Sequence, residues 1–156
     1  MYDSSIDTKK HIQRVQEIWK EFSEEISYQI AKHDESKLEK PEKEIFDEYT
    51  PKLQKCEYGS EEYKENLKQM EVALNHHYAH NSHHPEHYLK GISGMDLFDF
   101  IEMFCNWVAA VERNPNGSLK KSIEINQNRF GYSEDIKSIL MNTVKRYFIE
   151  SKEEEE

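Results

Sequence analysis

The segment 76-HHYAHNSHHPEHY-88 holds six of the chain's eight histidines: His76, His77, His80, His83, His84 and His87. A neutral imidazole is the commonest protein ligand for a metal ion. Several together, with carboxylates, can complete the coordination of one or two divalent transition ions. Mixed imidazole and carboxylate donors suit Mn, Fe, Zn, Co or Ni about equally. The other two histidines are His11 and His33, and Asp34 follows His33 directly. Both His76/His80 and His77/Asn81 are four apart, so each pair shares a face if the segment is helical. Asp99, Glu102 and Asn106 fall at three- and four-residue steps and form a polar stripe. A buried carboxylate needs a partner. At Asp99 and Glu102 a metal ion would serve, and so would Arg113, Arg129 or water.

The elements that must position these groups read as helices throughout. Ile12, Val15, Ile18, Trp19, Phe22, Ile26 and Ile30 recur at helical spacing and predict a long helix over 6–32. Pro41 opens a short helix over 42–49, expected to end before Pro51. Ser60 caps a helix running to about His80, and Asn81-Ser82 break it. His83 to His87 then make a turn around Pro85, and Gly91 to Gly94 a loop. Residues 95–112 give the most apolar helix, expected to be central. A turn at 114–117, a helix over 118–131 and a final helix from Ser133 to about 150 complete the pattern. No alternating strand pattern of convincing length and no repeat is present. The expectation is an all-α, compact single-domain helical bundle of about six helices over 1–150, followed by a disordered acidic tail at 151–156.

Bulk properties restrict the function. The 156 residues suit one domain, and a 12% aromatic content supplies enough large apolar surface for a core. A net charge of −10 shows no basic face, so nucleic-acid binding is not expected. No apolar run reaches the length of a membrane span, and the first ten residues carry no signal-peptide segment. Cys56 and Cys105 lack metal-site spacing and read as reduced thiols of a cytoplasmic protein. The composition also leaves room for a homo-oligomer.

In chain order, His11, His33-Asp34, His77, His84 and Asp99 resemble the HD superfamily of metal-dependent phosphohydrolases, which are all-helical. Those proteins carry a histidine on the first helix, a His-Asp doublet on a following one and a distant Asp on a buried helix. The doublet here stands in HDESK, at 33–37. Together with the His-rich segment, MDLFDFIEMFCNW at 95–107 and SIEINQNRF at 122–130, it is similar to a small bacterial and phage family with an HD-like core and no settled substrate. Asn106 stands where that resemblance would place an Asp before Trp107.

The resemblance implies hydrolysis of a phosphate ester such as a nucleotide. His11, His33, Asp34 and Asp99 would hold one ion. His77, His83, His84 and His87 would supply a second or orient the ligands of the first. Asp34 would act in catalysis with its ion, Glu86 or Glu35 would serve as general base or orienting partner, and Lys37, Arg129 or Arg113 would offset the phosphate charge, with Asn81 a further substrate contact. Two other readings remain open: a non-catalytic metal- or ligand-binding protein, and a dinuclear-iron oxygenase.

Overall fold

The long apolar stripe near the N-terminus does form a helix, α1 (Ser5–Ile30), which at about 1.5 Å per residue is roughly 39 Å long. The computed structural model describes residues 2–56, 60–113 and 117–149. After α1 come a 3-10 turn (Glu35–Leu38), α2 (Glu42–Leu53), α3 (Glu61–Gln69) and α4 (Glu71–His80). Two further 3-10 turns, Pro85–His87 and Gly91–Gly94, lead into α5 (Leu97–Glu112), α6 (Leu119–Phe130) and α7 (Glu134–Val144). A π-turn, Lys145–Ile149, follows. Seven α-helices and no strand occur among the described residues, so the chain is all-α. The acidic tail lies outside the described residues, as do 114–116 of the expected 114–117 turn.

Several boundaries differ from the sequence expectation, among them the end of the last helix, where α7 stops at Val144 and the π-turn follows. Helix α2 runs through Pro51 to Leu53. Proline there removes one hydrogen bond, and the helix continues because Gln54 N–H still reaches the Thr50 carbonyl at 3.1 Å. The helix expected over 60–80 is two helices, broken at Met70, whose backbone (φ −86°, ψ 0°) leaves the α-region and whose side chain is buried. Burial of the Met70 side chain, 2% exposed, offsets the loss of a regular turn.

The caps follow local chemistry. Ser60, Ser118 and Ser133 accept hydrogen bonds from the third residue of their helices. Asp96 and Asp99 form a reciprocal capping box at the start of α5. Gly131 ends α6 with φ +66°, a conformation glycine adopts without strain.

One core joins α5, α6 and α7. Met103, Ile123, Leu140 and Val144 are buried there, and the rings of Trp107 and Phe130 stack above them. A smaller packing unit joins α2, α3 and α4 around Met70 and Ala73. The expectation of a central α5 holds for Met103 and the residues near it. Cys105, however, is exposed. Between the two units lie the end of α1, the turn after it and the segment that follows α4.

Candidate metal centre

Four chain segments bring donor groups to that junction. Helix α1 ends at Ile30, and the chain turns at Asp34, whose φ of +60° is left-handed. Aspartate tolerates this conformation better than most residues, and a non-glycine residue held there often marks a functional position. Helix α2 begins with Glu42, which is fully buried. Helix α4 presents His76 and His77 near its C-terminal end, and a turn after Asn81, closed by the His84 N–H on the Asn81 carbonyl at 3.2 Å, returns His83 and His84. Helix α5 contributes Glu102 from its second turn.

The imidazoles point in one sense. His77 Nδ1 donates to Glu42 Oε2 at 2.9 Å, and His76 Nδ1 donates to Glu42 Oε1 at 2.7 Å. His33 and His83 both donate from Nδ1 to Glu102 Oε1, at 2.8 and 3.0 Å. An ionised carboxylate only accepts, so the proton of each neutral ring sits on Nδ1 and the lone pair on Nε2. The Nε2 atoms of His33, His77 and His83 meet around Asp34. His77 and His83 Nε2 lie 3.3 and 3.5 Å from Asp34 Oδ1, and His33 Nε2 lies 3.5 Å from Oδ2. His84 Nε2 is 2.9 Å from His77 Nε2. Ligand atoms of Asp34, His77, His83 and His84 all fall within 4.8 Å of one another. His33, His83 and Glu102 form a second group of that kind, but their Nδ1–Oε1 distances are those of hydrogen bonds.

The electrostatics match this arrangement. Burial pushes the His84 imidazole down to about 3, aided by the neighbouring His83 and His77, so the ring is neutral. Burial also lowers His77. Burial alone would raise Glu102, but hydrogen bonds from His33, His83 and Gln29 outweigh it and hold the carboxyl at about 2. The Glu102 hydrogen bond raises His33 above its ordinary range.

Two buried atoms, Asp34 Oδ1 and His83 Nε2, have no hydrogen-bond partner among the described residues. Buried polar atoms are nearly always paired, and both of these aim into the centre of the cluster. The residues therefore fit a metal ion: three or four neutral imidazoles and one carboxylate, with buried glutamates orienting the rings from behind. Carboxylate–histidine–metal triads are built this way. No cysteine takes part.

Residues 1–151 match the model of a family described as a family of unknown function, DUF5662. The chain belongs to that family. No curated protein and no solved structure matches it.

Of the site residues expected in this DUF5662 chain, the fold brings together His33, Asp34, His77, His83 and His84. It leaves others apart. His11 is exposed on α1, about 27 Å along the helix from Gln29, because α1 passes the site only at its C-terminal end. Asp99 accepts from Gln29 Nε2 at 3.1 Å, from Tyr88 and from the Asp96 N–H, so its oxygens are spent on the cap of α5. His87 is exposed and donates to the Tyr78 carbonyl at 2.8 Å. Glu86 is held by Arg129 at 2.5 Å, beyond the Tyr78 ring that packs on His84. Glu35 and Arg113 are exposed. Asn81 is buried and donates to the His77 carbonyl and to Ser36 Oγ, both at 2.8 Å, which places it as a brace for His77. Lys37 does reach the site, with Nζ 2.7 Å from Asp34 Oδ2.

Glu42 was invisible to sequence reasoning: it sits in a charged run, PEKE, and only its burial singles it out. Glu102 was visible as part of the α5 stripe but not distinguishable from Asp99. Gln29, which donates to Glu102 at 2.7 Å, interrupts the apolar stripe of α1 at a position facing α5, a weak signal that was present.

Proposed function

We propose that this protein is a metal-dependent hydrolase of small phosphate esters, such as nucleotides, acting in the cytoplasm. The observation that supports it most is the pair of partnerless buried atoms, Asp34 Oδ1 and His83 Nε2, facing a shell of imidazole lone pairs. Asp34, His77, His83 and His84 would hold a divalent transition ion such as Mn, Fe, Zn, Co or Ni, with His33 beside them. The ion would acidify a bound water and polarise a phosphoryl oxygen. Glu42 and Glu102 fix which nitrogen of each ring faces inward, so the donor set is organised before anything binds. Lys37, within reach of Asp34, would offset charge on the phosphoryl group. A cleft of about 270 Å³, bordered by Gln29, Lys32, Ser82, His83 and Glu102, opens beside the cluster and gives a small substrate a way in.

A structural ion is the second reading, favoured by the depth of the site: His77 and His83 are each 2% exposed. One experiment separates the two. Protein purified without a His-tag is analysed for metal beside Asp34→Ala, and both are assayed for phosphate release from nucleoside mono- and triphosphates. The expected result is bound transition metal and turnover in the wild type, both lost in the variant with helicity retained. Metal without turnover over the whole panel would favour the structural ion. Full metal content in Asp34→Ala would remove the site itself.

A further inference from the structure

The cluster around Asp34 takes its rings from His33, His77, His83 and His84 and leaves two histidines of α4 unused. His76 and His80 are four residues apart at the end of α4, so they share a face. Their rings stack, 18° from parallel and with centroids 4.0 Å apart. The Nδ1 atom of each ring is already engaged. His76 Nδ1 donates to Glu42 Oε1 at 2.7 Å, and His80 Nδ1 donates to the His76 carbonyl at 2.7 Å. A neutral imidazole carries one proton, so the lone pair of each ring lies on Nε2, directed away from these bonds. His87 makes the contrast. It is also exposed and also donates from Nδ1 to a carbonyl, at 2.8 Å, but its ring meets Tyr88 and not a second imidazole.

We propose that His76 and His80 form a second metal site, at the rim of the protein, for a divalent ion that favours imidazole, such as zinc, copper or nickel. Two histidines four apart on a helix are the arrangement by which metalloprotease helices hold zinc. Zn–N bonds of about 2.0–2.1 Å let one ion join nitrogens up to about 4 Å apart, and the two rings stand at that spacing. Three surroundings favour the ion. Glu42 is fully buried, and its charge makes His76 a better donor, as its other oxygen does for His77. The pair lies over the last turn of α4, where the helix end carries partial negative charge. His80 is exposed and borders the cleft together with Glu25, so the ion keeps coordination positions open to water or to a molecule in that cleft. Lys32 borders the cleft too, but its ammonium rests over the Tyr28 ring, 4.1 Å from the centroid, and donates to the Tyr28 hydroxyl. Glu42 thus stands behind a ligand of each site, one oxygen to each, and the outer site holds its ion whatever the inner ion does.

The test is calorimetric titration of the full chain with zinc, after chelator treatment and without a His-tag. His80→Asn is made in the wild type and in Asp34→Ala, which lacks the inner site. In both backgrounds His80→Asn should remove about one equivalent of zinc or weaken it at least about 10-fold. Helicity should not change, because His80 is exposed and its ring bonds only to a carbonyl of its own helix. His87→Asn, the control, should keep the wild-type stoichiometry. In nitrogen NMR, the equivalent that Asp34→Ala retains should move the Nε2 resonances of His76 and His80 together. If the inner site binds nothing, the wild type takes a single equivalent that survives Asp34→Ala and disappears in His80→Asn, which upholds the outer site. Unchanged stoichiometry and affinity in His80→Asn in both backgrounds, or equal loss in His87→Asn, would overturn it.

Discussion

Glu102 illustrates how one buried side chain can govern a whole cluster. Its Oε1 takes the Nδ1 protons of both His33 and His83, and its Oε2 takes Gln29. The charge makes both rings better donors at Nε2, and the geometry aims them at Asp34. Glu102→Gln keeps the volume but removes the charge and sets an amide N–H₂ against Gln29. Metal affinity should fall by about 10- to 100-fold, the usual cost of losing a carboxylate behind a ligating imidazole. Competition with a chromophoric chelator would measure it, and unchanged affinity would show that the rings are oriented by packing alone. Glu42 has the same relation to His77 on the opposite side of the cluster.

At the scale of elements, the site depends on where helices start and stop. The capping box at Asp96 begins α5 three residues before Asp99 and six before Glu102. It also gives Asp99 its structural role, which is why that carboxylate is not available to the centre. Asp96→Ala removes acceptors for the Phe98 and Asp99 N–H groups. The expected cost is about 1 kcal/mol, read as a lower midpoint in chemical denaturation. Loosening Asp99 also frees one partner of Gln29, so metal affinity should fall with it. A variant that loses stability but keeps its affinity would show that the cap acts on the helix and not on the site. The left-handed turn at Asp34 is the corresponding device at the end of α1.

At the scale of the molecule, the cluster joins two packing units, α2 to α4 and α5 to α7, and its buried charge makes metal-free stability depend on pH. The unfolded chain protonates His84 near the ordinary 6.5, whereas the folded ring accepts a proton only at about 3. The unfolded state therefore binds more protons between those values, and stability falls as pH drops through that window. His77, lowered by burial, acts in the same direction. Glu102, held at about 2, adds to the loss below its ordinary 4.5. His33, raised by Glu102, opposes this: its contribution is complete below the ordinary 6.5 and disappears as pH rises through its folded value. Urea denaturation of metal-free protein should give a lower midpoint at pH 5 than at pH 7, and His84→Gln should flatten the difference. An equal or higher midpoint at pH 5 would mean that His84 is not buried as a neutral ring.

Much of this molecule was legible from residues alone. Spacing of apolar side chains identifies α1 and α5, serine and aspartate mark the helix starts, and the concentration of histidines beside a His-Asp doublet points to a metal site. These signals are local, and a helix or a cap is decided within a few residues. What separates Glu102 from Asp99, or His33 from His11, is not local. Both carboxylates lie on one stripe of α5, and only the angle at which α1 crosses that helix decides which one meets His33. Both histidines belong to the N-terminal segment, and only the place where the body ends along α1 decides which reaches the cluster. Glu42 carries no local signal, because a glutamate in a charged run is ordinary until α4 packs over it. Helices were set by the sequence at short range, whereas the donor set arose from packing, which joins groups up to 73 residues apart in the chain.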